Sequence, residues 1–137
     1  MRTKPCLTSA DVLKLAAAAK AEANRNGWEV SIAIVDDGGI PFYLERMDGA
    51  AATTPDVALS KARLAALTRR PSKFWEDRVK ERPGFANFPH AMFSQVLPAQ
   101  GALPILYQGE CVGAIGVSGV QSQDDERIAQ AGLDALV

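Results

Sequence analysis

The chain offers little to metals and less to nucleic acids. Of its 137 residues, two are cysteine and one is histidine. Cys6 and Cys111 lie far apart and match no metal-ligand spacing, so neither a metal site nor a disulfide framework is expected. Both read as reduced thiols of a cytoplasmic protein. A formal net charge of −1 leaves no basic field for a phosphate backbone, which argues against a nucleic-acid partner. No apolar run is long enough for a membrane span, and the opening MRTKPCLTSAD lacks the hydrophobic segment of a signal peptide. A phosphate loop, a dinucleotide fingerprint and a local nucleophile–base pair are also missing, which excludes the common catalytic schemes that leave a short sequence trace.

What remains is an ordinary globular composition, 47% hydrophobic and 23% charged, in a chain of one-domain length, residues 1–137. Its centre is residues 101–119, GALPILYQGECVGAIGVSG, which predict two strands joined by a tight turn at Gln108-Gly109-Glu110. On the second strand Cys111, Gly113, Ile115 and Val117 alternate with Val112, Ala114, Gly116 and Ser118. Both sets are small or apolar, so this strand is expected to be central and covered on both faces. Gly113 and Gly116 suit either close helix–sheet packing or a ligand lying on a glycine floor.

From the start of the chain, Ser9 predicts a helix cap, with Asp11 in the first turn and Gly27 as the stop. Residues 28–36 predict a strand, Asp36-Asp37-Gly38-Gly39 a hairpin turn, and residues 40–46 the return strand. On that return strand Ile40, Phe42, Leu44 and Arg46 share a face. Thr54 and Pro55 predict the start of a buried helix running to about Arg69, with Lys61 on its apolar side. Ser72 restarts a short helix through Val79. Residues 82–100 show no clear period, as in a functional or a disordered loop. They nonetheless carry Phe85, Phe88, His90, Met92 and Phe93, which argue that the stretch packs against something, as a lid or against a neighbouring subunit. Ser122 predicts the cap of a last helix. Adjacent strands on short turns, interleaved with helices, make an α+β domain.

Several residues are candidates for chemistry. Arg46, a guanidinium ending an apolar strand face, calls for a carboxylate, either from a ligand or from Asp36, Asp48 or Glu45. Lys61 is a buried-side amine that either binds an anion, acts as a base, or pairs with Asp36 or Asp48. His90 is an acid/base candidate or a loop residue packed beside Pro89. Gly116 and Ser118, at the strand exit, present backbone amides suited to a carboxylate, or form a plain strand-to-helix turn.

LERMDGA at residues 44–50, KARLAALTRRPS at residues 61–72, and GALPI with VGAIGVSG in the closing hairpin resemble the GlcG/HbpS-like haem-binding-protein family, which includes the C-terminal module of PduO-type cobalamin proteins. The likeness runs over nearly the whole chain. It implies a profilin-like or PAS-like sandwich with a five-stranded antiparallel sheet flanked by helices, and homo-oligomers from dimer to octamer. It also implies an accessory role in a catabolic pathway and haem as a candidate cofactor, with His90 the single histidine available to iron. The resulting expectation is a cytoplasmic protein binding a small carboxylate-bearing ligand through Arg46, Lys61, His90, Gly116 and Ser118. Two alternatives stand beside it. One is an accessory enzyme with Lys61 or His90 as base and Arg46 as clamp; the other is a structural or regulatory oligomer.

Overall fold

A computed structural model describes residues 1–136; Val137 lies outside the described residues. The elements are α1 (Ser9–Arg25), β1 (Ser31–Asp36), β2 (Pro41–Arg46), α2 (Thr54–Thr68), α3 (Ser72–Glu81), a 3-10 turn (Pro83–Asn87), α4 (Phe88–Met92), β3 (Ala102–Tyr107), β4 (Glu110–Ser118) and α5 (Ser122–Asp134). The strands form one antiparallel sheet in the order β2-β1-β4-β3. Four strands stand where the resemblance implied five. The one long stretch left over, residues 94–100, carries Pro98 and turns its backbone to α2, Leu97 N–H donating to the Ser60 carbonyl at 3.3 Å, so it extends neither sheet edge.

Helices cover both faces of this sheet. α1 and α5 lie on one side, where Leu15, Ile32, Ile34, Ile115, Val117 and Ile128 make the larger core. α2 lies on the other, and there the contacts are nearly all alanine: Ala58, Ala62, Ala65 and Ala66 against Ala33, Ala102 and Ala114. Small side chains let the helix axis approach the sheet closely. Gly116 is the extreme case, since a Cβ on it would sit 2.3 Å from the Ala58 carbonyl oxygen. That glycine therefore serves helix–sheet packing.

β4 is central and buried from Val112 to Ser118, as its composition predicts. Its alternation, however, is interrupted. Ile105 pairs with Gly113 and the next residue, Leu106, with Cys111, so Val112 is an extra residue on β4. The bulge exchanges the two faces. Val112 joins the α1/α5 core, while the Cys111 thiol turns toward α2 and lies 3.8 Å from the Ala66 carbonyl.

Helix starts differ by a residue from the sequence expectation. Thr8, not Ser9, caps α1: its hydroxyl accepts from the Asp11 amide at 3.2 Å and Asp11 accepts from the Thr8 amide, a reciprocal capping box. Thr54 is the first residue of α2 rather than its cap, and its hydroxyl bonds Ser31 on β1 and the Ala51 carbonyl. Gln121 occupies the cap position of α5 in place of Ser122. β1 begins at Ser31, three residues later than residues 28–36 predict. The stretch read as structureless contains the 3-10 turn and α4.

Candidate functional site

Lys61 points inward and is 3% exposed. Its ammonium donates to the Val117 carbonyl at 3.1 Å and to Asp125 Oδ2 at 3.2 Å, tying α2 across the end of β4 to the first turn of α5. Asp125 is the partner, where Asp36 or Asp48 was expected. The other Asp125 oxygen accepts the Val120 amide at 3.1 Å. The backbone amides at the β4 exit thus do meet a carboxylate, and it is the protein's own. Burial pushes the Asp125 carboxyl up to about 6, against the opposing pull of Lys61 and the Val120 amide. Gly101, at φ +139°, lets β3 pass beside this pair, since a Cβ there would lie 2.7 Å from the Lys61 nitrogen. Ser118 ends β4, buried and in register with Ser31.

Arg46 is elsewhere. It is exposed at the end of β2, and no ion pair among the described residues includes it. It lines a polar cavity of about 340 Å³ with Lys20, Asn24, Glu29, Glu45, Met47 and Asp48. Glu45 accepts from Lys20 at 2.8 Å and from the Tyr43 hydroxyl at 2.5 Å, and these bonds hold its carboxyl below the usual range. Burial and that same bond push the Tyr43 hydroxyl up to about 12. Three carboxylates against two cations make this a poor seat for an anion. Lys61 and Arg46 are not brought together over the sheet.

His90 belongs to a third region, built by α3 and the residues that follow. Arg70, Phe74, Arg78 and Arg82 recur every fourth residue; Phe74 and Arg78 lie on α3, Arg70 just before it and Arg82 at its end. The Arg70 guanidinium lies 4.2 Å from the Phe74 ring centroid, Arg78 lies 5.3 Å from it, and Arg82 lies 4.8 Å from the Phe85 centroid. Trp75 stacks on Phe88 at 5.4 Å with 21° between the planes, and Phe85 meets Phe88 at 5.3 Å tilted by 51°. The Trp75 indole N–H donates to the Thr68 hydroxyl at 3.0 Å, so α2 anchors the stack. Arg82, Pro83, Gly84, Phe85 and Phe88 line an open cavity of about 480 Å³, mainly apolar. Arg78 reaches Glu81 at 4.0 Å, but neither Arg70 nor Arg82 has an ion-pair partner among the described residues. His90 and Met92 are exposed on α4. Sequence reasoning singled out His90 and the loop aromatics and missed the arginines, whose fourfold repeat was the available signal.

A family model described as "Haem degrading protein HbpS-like" matches residues 7–134. Protein GlcG of Escherichia coli strain K12 is 38% identical over 119 residues, covering 86% of this chain and 85% of that protein. Among solved structures, a double mutant of Streptomyces reticuli HbpS superposes with a TM-score of 0.89 at 31% identity, covering 100% of this chain and 91% of that one. A PduOC:heme complex superposes with a TM-score of 0.87 at 26% identity, covering 96% and 95%.

Proposed function

The chain belongs to the HbpS-like family, and from that premise we propose that it is a small-ligand-binding protein with an accessory role in a catabolic pathway. It works in the cytoplasm as a homo-oligomer and takes a ligand that carries a carboxylate. The observation that carries this reading is Arg82, a guanidinium held over Phe85 at the edge of an apolar cavity and unpaired by any described carboxylate. A guanidinium so placed is complementary to a carboxylate, which it can grip through two parallel hydrogen bonds. Arg46, set among three carboxylates, is the weaker candidate for the ligand's carboxylate. Lys61, Gly116 and Ser118 act behind the site, fixing α2, from which α3 departs, against β4.

Haem is the second reading, favoured by the PduOC:heme relative. The donor types present fit it: His90 and Met92 are exposed nitrogen and sulfur donors on α4, and Arg70 and Arg82, in no ion pair among the described residues, would hold propionates. Bound there, haem would supply iron redox chemistry; the chain's part is to bind and orient it. Native mass spectrometry of freshly purified protein, with hemin titration and a panel of organic acids, tests both readings. A retained or added acid adduct supports the first. A Soret band at equimolar hemin supports the second, and its absence removes haem. Failure of every acid and of hemin to bind would overturn the ligand-binding reading as a whole.

A further inference from the structure

Resting on that ligand-binding reading, we propose that the groove between Arg82 and Phe88 selects a planar aromatic carboxylate of one or two rings. Trp75 stacks on one face of Phe88, and Phe88 remains 39% exposed beside Phe85. Phe85, tilted by 51° against Phe88, opens the pair into a wedge rather than closing it into a stack. An aromatic plate entering the wedge stacks on a ring whose own position is fixed from behind by the Trp75–Thr68 hydrogen bond. Arg82 stands at the rim, its charge unanswered by any described carboxylate.

The two features select jointly. An aliphatic acid meets the guanidinium but leaves the rings wet, and an uncharged aromatic fills the wedge but leaves the guanidinium without its acceptor. Only a molecule carrying both groups satisfies both. A cavity of about 480 Å³ lies within the range of small-molecule sites and suits a ligand of this size. Gly84 lies on its wall, with no atom within 4 Å of where a Cβ would stand.

The test reads Trp75 fluorescence in a Trp28→Phe background, which leaves Trp75 as the sole indole of the two in the chain. The probes are 2-naphthoate, 2-naphthamide and succinate, with hemin and calorimetry in parallel. Saturable quenching by 2-naphthoate is expected, weakened about tenfold by Arg82→Gln and by a similar factor for the amide, since each removes one charge-assisted pair. Phe88→Leu, read by calorimetry, should weaken naphthoate binding about tenfold, since it removes the ring the ligand stacks on. Equal binding of naphthoate and naphthamide, or wild-type binding by Phe88→Leu, would overturn the proposal. Succinate or hemin binding with naphthoate silent would overturn the aromatic selectivity and leave the ligand-binding reading standing. Silence from every probe would overturn both.

Discussion

At Lys61 a buried ammonium meets a buried carboxylate, with side chains 4% and 3% exposed. Two of its three donors go to Val117 and Asp125, so it ties the fold together, and a base role in proton transfer would first require breaking that pair. Removing one member of such a pair strands the other in low dielectric. Lys61→Met should therefore cost on the order of 3 kcal/mol in chemical denaturation, and Lys61→Met with Asp125→Leu should recover most of it. Binding by any folded fraction of the single variant should match wild type. The pH dependence follows from Asp125, whose carboxyl holds its proton more tightly folded than unfolded. Its contribution is fully present below about pH 4 and is lost as pH rises through about 6. The Tm advantage of wild type over Asp125→Asn should shrink between those values; an advantage growing with pH would contradict the buried-carboxyl account. Asp11 and Glu45, whose carboxyls sit below their usual range, act in the opposite sense, so the comparison must be made against the single variant.

Among the elements, β4 was the most legible in sequence. Small apolar residues on both of its faces could only mean cover on both, and α2 on one side with α1 and α5 on the other supply it. Alternation alone hid the bulge at Val112, because nothing in a run of small residues marks where one is inserted. The single face predicted for Ile40, Phe42 and Leu44 does not form, because Ile34 pairs with Tyr43 and Val35 with Pro41, leaving Phe42 as an extra residue on β2. Their exposure was not legible either, since it depends on β2 lying at a sheet edge. Lys61 showed the same limit: its burial followed from helical spacing, its partner lay 64 residues away on another helix. Arg70 and Arg82, which flank α3, were hidden differently, since arginines at the ends of a short helix usually mean only solvent. Gly116 offers the sharpest test at this scale. Gly116→Ala places a methyl 2.3 Å from the Ala58 oxygen and 2.9 Å from the Ala62 side chain. It should lower stability by about 1–3 kcal/mol, read as a fall in denaturation midpoint. A stability equal to wild type would show that α2 is free to lift from the sheet.

For the molecule as a whole, the three layers leave two places unfinished in a single protomer. One is the exposed apolar patch at the β2 edge, where Ile40, Phe42 and Leu44 are exposed by 59%, 46% and 45%. Apolar patches of this kind mark association surfaces, and the homo-oligomer proposed above would cover it. Phe42→Glu should shift native mass spectra toward smaller assemblies, whereas an unchanged subunit number would place the interface elsewhere. The other is the aromatic and arginine face carried by α3, the 3-10 turn and α4. The account stands or falls on whether ligands go there rather than to the interior around Lys61. Amide chemical-shift mapping during titration with an aromatic carboxylate decides this most directly. The account predicts shifts confined to Arg82–Phe88 and the Trp75 indole; shifts centred on Lys61, Gly116 and Ser118 would contradict it.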